Sequence, residues 1–313
     1  MKISIFPGAY RDAPLSSHVL TLLDGLKQQG CAIDYTSISA DATFAETVAA
    51  CANADAVLTM SASPLSSRLE AISHASDLLA SLHSIALPRA LSHLSPVGSV
   101  VAGGLDVLIV GDRHCGLSGA LPRGVVAGDR ELIGTNTIRY AESDIRRLAH
   151  LAFDIARRRS SRLISVDQAD HLETMELWRD VVSEVADEYP DVQLEHLLIE
   201  QALQQLVTAP HRFDTIVAGG SLATILAAQA SVLSGLADVW PHALVGASTF
   251  GIYEIAAPRH DESIASVSLD AHALAALNAL SLMFQLGPDD ESLKTGIENA
   301  YAHASVAHRS TRA

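Results

Sequence analysis

Residues of the types that do chemistry fall at few places in this chain. Arg113-His114-Cys115 follows the apolar stretch DVLIV (106–110) and joins a planar cation, an imidazole and a thiol. Loops at the carboxyl ends of strands are where α/β folds bind ligands, so an anion or small-acid site is one expectation here; an ordinary surface loop is the other. His83 and Glu200 are the groups that could stand opposite it. A nucleophilic Cys115 would need a lowered thiol pKa and a base, and the side chain of His114, adjacent in sequence, should point elsewhere. Glu200 opens a helical pattern after an extended stretch ending at Ile199. It reads equally as a pocket acid and as an acid favoured by a helix N-terminus. Gly219-Gly220-Ser221 lacks the lysine of a phosphate loop and reads as a tight turn. The 14 histidines show no HxxxH or HExxH spacing, and Cys31, Cys51 and Cys115 no CxxC spacing. That argues against a zinc site and a disulfide framework.

The elements that must position these groups are legible from periodicity. Strands are expected at 3–6, 56–60, 107–110, 162–166, 193–199 and 215–218. Helices are expected at 16–29, 65–81, 143–158, 172–189, onward from 199 to 207, at 222–235 and at 270–286. Short β-branched runs alternating with longer helical patterns mean an α/β fold with a largely parallel sheet. Residues 119–139, rich in glycine and without helical period, read as an extended arm. There is no internal repeat or low-complexity segment.

Composition narrows the function classes. The chain has 313 residues, 49% apolar and 18% charged, so it is globular and long enough for about two domains. Lys+Arg is 21 against Asp+Glu 36, a net charge of −15, which leaves no footprint for nucleic acid or an anionic membrane. The opening MKISIFPGAY reads as a strand, not a secretion signal, and a cytoplasmic setting is expected. The uncharged stretches 215–237 and 271–288 are interrupted by Gly219, Gln229, His272 and Gln285, and read as core segments, not membrane spans.

The run SVDQADHLETMELWRDVVSEVADEYPDVQLEHLLIEQALQQLV (165–207) resembles the β-decarboxylating dehydrogenases, the isocitrate and isopropylmalate dehydrogenases, with isopropylmalate dehydrogenase the most similar. MKISIFPG (1–8), LASLHSIALPRALSHLSPV (79–97), GLDVLIV (104–110), GALPRG (119–124), RFDTIVAGGSLATILAAQASVLSGL (212–236) and GIYE (251–254) extend the likeness over essentially the whole chain. Residues 79–97 stand where the family has an arginine-bearing helix end. The resemblance implies two α/β domains with largely parallel sheets, formed by one crossing chain. Residues 1–97 plus 246–313 would form the first, cofactor-side domain. Residues 98–245 would form the second, with the dimer interface and an arm at about 119–142. It also implies a homodimer with shared active sites.

The family's reaction needs a divalent metal on carboxylates, a proton-moving lysine and tyrosine, three arginines on the substrate, and a loop for NAD. Carried over by position, the lysine falls at Gln168 and the tyrosine at Ser118. The metal aspartates fall at Glu200, Thr224 and Ala228, and the arginines at Ser73, His83 and Gly111. Arg113 stands two residues past the last of these. The only lysines are Lys2, Lys27 and Lys294, no tyrosine lies between 36 and 139, and no charge lies between 215 and 237, so a shifted alignment restores none of them. A glutamine exchanges no proton near neutral pH. The cofactor loop reads IAAPRHD (255–261).

The expectation is therefore an isopropylmalate/isocitrate dehydrogenase-like homologue that has lost metal- and NAD-dependent oxidative decarboxylation: a pseudoenzyme or regulatory paralogue. No metal or NAD is expected; Glu200 is the retained acid, and Ser73, His83, Arg113 and His114 are the ligand-pocket positions. A homodimer is expected, or a mixed oligomer with an active relative. The alternatives are a repurposed metal-independent enzyme acting on a small carboxylic acid and a divergent 2-hydroxy acid dehydrogenase.

Overall fold

In the computed structural model the described residues are 1–6, 13–60, 66–101, 103–117, 120–235, 240–248, 250–256, 269–287, 292–293 and 295–301. In chain order the elements are β1 (Lys2–Phe6), α1 (Ala13–Gln28), β2 (Asp34–Ser37), α2 (Phe44–Ala52), β3 (Ala56–Met60), α3 (Ser66–Ala75) and β4 (Ala80–Leu87). Next come β5 (Leu105–Asp112), β6 (Gly124–Ala127), β7 (Leu132–Thr135), α4 (Glu142–Arg158), β8 (Arg162–Asp167), α5 (Glu173–Ala186), β9 (Gln193–Leu198), α6 (Ile199–Thr208) and β10 (Thr215–Ala218). Finally α7 (Gly220–Ser234), β11 (Trp240–Val245), β12 (Gly251–Ala256) and α8 (Leu269–Leu286) complete the chain. It divides into two compact units: residues 1–78, 82–106 and 231–313, and residues 79–81 with 107–230.

The first unit is built on strands in the order β2-β1-β3-β12-β11-β4. β1 pairs in parallel with β2 and β3, β12 in parallel with β3, and β11 antiparallel to β12. All five side chains of β3, AVLTM, are buried, as a strand covered on both faces requires. A complete capping box starts α2: Thr43 accepts from the Glu46 amide, and Glu46 accepts from that of Thr43. Asn278 of α8 is fully buried, donating to the Ala86 carbonyl at 2.8 Å and accepting from the Tyr301 hydroxyl at 2.5 Å.

In the second unit the order is β5-β10-β8-β9, with all pairs parallel. α4 carries a continuous apolar stripe of Ile145, Leu148, Ala152, Phe153 and Ala156, buried at the i, i+3, i+4 spacing that makes a core-facing helix. α5 buries Met175, Trp178, Val182 and Val185, and the Trp178 indole N–H donates to the Ser165 hydroxyl of β8 at 3.1 Å. Burying each large side chain contributes about 1.5–3 kcal/mol. Strands β6 and β7 form a separate antiparallel hairpin, and the arm expected at 119–139 includes it.

One expected element is wrong. The helix expected over 65–81 ends at Ala75, and residues 80–87 form a strand where the resemblance places a helix end. Asp77 takes a left-handed conformation (φ 51°), which a continuing helix forbids. Beyond it the segment ASLHSIAL alternates buried and half-buried positions over its first four residues, the period of a strand. Among the described residues no helix is long and apolar enough to cross a membrane.

Candidate functional site

Because β5, β10, β8 and β9 run parallel, their carboxyl ends open on one edge of the second unit's sheet. The chain leaves that edge at Asp112, Asp167, Leu198 and Ala218. Arg113 and His114, Gln168, Glu200 and Gly219 therefore follow closely on strand ends, and Gly220 opens α7 where the sequence reads as a tight turn. Thr224 and Ala228 lie one and two turns into α7. The first unit holds Ser73 and His83, and Ser118 lies outside the described residues.

Asp112 organises the loop after β5. Its buried carboxylate accepts from the backbone N–H of Cys115 at 2.7 Å and of His114 at 3.3 Å. Burial raises its pKa, and these hydrogen bonds pull part of the way back. The Cys115 thiol lies 3.4 Å from the Asp144 carboxylate. Burial, then the charges of Asp112 and Asp144, push that thiol up to about 12. A nucleophilic thiolate needs the opposite surroundings, so Cys115 does not fit that role.

Tyr140 is a residue that sequence reasoning passed over. It is buried edge-on to Trp178, ring centroids 5.6 Å apart. Its hydroxyl occupies the space that a Cβ at Gly116 or Gly219 would need. Burial and then the Asp112 charge raise its pKa, so the phenol is held protonated. The signal in the sequence was the glycine pair after β10, which leaves room for a side chain from elsewhere.

Asp167 and Arg179 were also passed over. Asp167 is fully buried at the end of β8, one residue before Gln168. Arg179 grips it in a fork, Nε to Oδ2 at 2.9 Å and Nη2 to Oδ1 at 2.6 Å. The Ala169 amide donates to Asp167 at 3.1 Å, and the Gln168 carbonyl accepts from the amides of His171 and Leu172 at 3.0 Å each. This ion pair fixes the backbone on both sides of Gln168. His196 stands 3.9 Å from Asp167 and contacts the Ser183 hydroxyl through Nε2 at 3.0 Å. Its pKa is lowered by burial, with the Asp167 charge opposing.

The residues present do not fit a hard divalent cation, which takes several carboxylate or carbonyl oxygens. Glu200 is the only carboxylate of its three implied positions. The Thr224 hydroxyl donates to the Gly220 carbonyl at 2.9 Å, and Ala228 offers no donor atom. Among the described residues no three His, Cys, Asp or Glu side chains are grouped to hold a metal ion. Gly111 is closed to any side chain: a Cβ there would come within 2.7 Å of the Ala223 Cβ and 2.8 Å of the Ser81 hydroxyl. Of the cofactor-loop residues 255–261, those after 256 lie outside the described residues.

In the first unit Ser73 is buried and its hydroxyl donates to the Glu70 carbonyl at 2.7 Å. His83 of β4 stacks on His242 of β11, centroids 5.9 Å apart and planes at 25°. His242 pairs across the ladder with Glu254 of β12, Nε2 to carboxylate 3.6 Å. The His83 Nδ1 is buried without a hydrogen-bond partner. Burial, with a smaller contribution from His242, lowers the His83 pKa from 6.5 to about 3.

These features define an α/β protein with its polar groups gathered beyond the carboxyl ends of a parallel sheet. Comparison makes the class specific. The family model for isocitrate/isopropylmalate dehydrogenase matches residues 27–312. The 3-isopropylmalate dehydrogenase of Thiobacillus denitrificans is 33% identical over 322 aligned positions, 96% of this chain and 90% of that protein. That of Nitrosomonas europaea is 39% identical over 226, 72% of this chain; the match spans 62% of that relative, just under two thirds. The crystal structure of isocitrate dehydrogenase from Methylococcus capsulatus shares the fold, with TM-score 0.72 at 18% identity, over 94% of this chain and 87% of that one. The chain belongs to the isocitrate/isopropylmalate dehydrogenase family.

Proposed function

We propose that this family member does not carry out metal- and dinucleotide-dependent oxidative decarboxylation and serves as a non-catalytic or regulatory subunit. The observation that carries this reading is the closed position at Gly111. The resemblance implies a carboxylate-binding arginine there, and Ser81 and Ala223 fill the space its Cβ would need. The uncharged Gln168, Thr224 and Ala228 support the same reading, since none can move a proton or neutralise a cation at pH 7. Purified full-length chain, given Mg²⁺ or Mn²⁺, NAD⁺ or NADP⁺, and 3-isopropylmalate, isocitrate or tartrate in turn, should form no reduced dinucleotide above the enzyme-free rate. Metal-dependent reduction with any of the three would overturn the proposal.

A regulatory role needs a partner, and the hairpin is the proposed contact, with a second copy or with an active relative. Leu121, Val125 and Leu132 are 76%, 69% and 75% exposed, more apolar surface than a short hairpin leaves bare without a use. Replacing Val125 and Leu132 together by Asp should weaken self-association at least tenfold, about 1.4 kcal/mol, in sedimentation equilibrium. An unchanged dissociation constant would remove the hairpin from the interface.

A further inference from the structure

In the first unit α2, α3 and the residues leading into β12 enclose a groove of about 460 Å³, within the size range of small-molecule sites. Phe44 and Val48 of α2, Ile72 of α3 and Phe250 line it together with four alanines. Phe44 and Val48, four residues apart on one helix face, are 54% and 40% exposed, where a helix on a sheet ordinarily turns its apolar face inward. The two ends of the groove differ. The apolar strip starts at Phe44, the first residue of α2. At the other end lie the last residue of each helix and the two hydroxyls of the described lining, Ser76 and Ser248. Two observations bring these segments together. Gly251 pairs with Ala56, so the exit from α2 and the entry to β12 lie side by side. A Cβ at Gly246 would come within 2.5 Å of the Asp77 carbonyl oxygen, so the exit from α3 meets the same approach. A helix carboxyl end carries about half a negative charge, and two of them meet here. The exposed Asp55 and Asp77, each directly following a lining residue, add a full negative charge apiece. Among the described residues no Lys or Arg lines the groove.

We infer that this groove binds an aromatic primary amine, with the ring along the apolar strip and the ammonium at the carboxyl ends of α2 and α3. Negative potential confined to one end selects a single cationic head and rejects a carboxylate. The hydroxyls of Ser76 and Ser248 can accept from ammonium N–H groups, which a quaternary amine lacks. Two phenylalanine rings in the lining favour an aromatic body through offset or edge-to-face contacts. The site shares no residue with the strand-end cluster of the second unit, and its test is independent of the proposal above.

The test is calorimetric titration of the full-length chain at neutral pH with tryptamine, tryptophol and indole-3-propionate. These keep one ring and exchange the ammonium for a hydroxyl or a carboxylate. Tryptamine should bind, tryptophol about fivefold more weakly, and the carboxylate more weakly still. Added salt should narrow the gap between amine and alcohol. The double variant Asp55→Asn with Asp77→Asn should lose at least half of that preference while binding tryptophol as before. Ala75→Phe fills the groove from an exposed position, so it should melt within about 2 °C of wild type and bind none of the three. If it melts far lower, the exposed Phe44→Ala decides instead, and should weaken amine and alcohol alike. No binding of tryptamine to wild type, equal binding of the three compounds, or a full preference kept by the double variant would each overturn the inference. So would undiminished binding by a well-folded Ala75→Phe.

Discussion

Arg179→Ala is expected to destabilise the second unit by about 3–5 kcal/mol, the size of effect seen when one partner of a buried ion pair is removed. Asp167 is fully buried, and Arg179 satisfies both of its oxygens from one guanidinium. Removing the guanidinium leaves a carboxylate with the Ala169 amide and the more distant His196 ring. The carboxylate must then take up a proton or draw in water, and either change disturbs the backbone at Gln168. Urea denaturation followed by tryptophan fluorescence in a Trp240→Phe background reads this unit, because the remaining Trp178 indole is bonded to Ser165 on the same strand as Asp167. The double variant Asp167→Asn with Arg179→Leu removes both charges and should recover more than half of the loss. If the single variant costs under 1 kcal/mol, the pair is no more than a surface bridge.

Acid is expected to destabilise the first unit through His83. The ring has a pKa of about 3 when folded and 6.5 when exposed, so below 6.5 the unfolded chain binds a proton that the folded chain refuses. Stability from this group is therefore fully present above pH 6.5 and falls as pH drops toward 3. The slope approaches at most about 1.36 kcal/mol per pH unit within that window. His242 stacks on the ring and Glu254 faces His242, so these two groups modulate the slope. Melting temperatures of wild type and His83→Phe between pH 7.5 and 5 should diverge in slope, with the phenylalanine variant flatter. Parallel curves would show that His83 is not buried neutral in the folded chain.

Strand–helix alternation made the parallel sheet of the second unit legible, because β5, β8 and β10 each carry a short run with β-branched residues. β4 was not. Its alanines, serines and leucines carry little strand preference, and the resemblance supplied a helix end that the backbone at Asp77 forbids. At the strand ends, positions such as Gln168, Glu200 and Thr224 could be placed from the sequence because each directly follows or soon follows a strand. The Asp167–Arg179 fork and the seat of Tyr140 could not. Both join residues on different elements, and no local spacing announces that a buried acid has found a cation 12 residues away.

The order in which the first unit's strands are made bears on its folding. β12, residues 251–256, lies between β3 and β11, so it is an interior strand that leaves the ribosome late. Until then β3, with every side chain destined for burial, has an open edge on that side. The second unit's segments all precede residue 231, so it can close while the first still waits for its middle strand. Such an apolar open edge is the kind of surface that chaperones shield and that aggregates otherwise recruit.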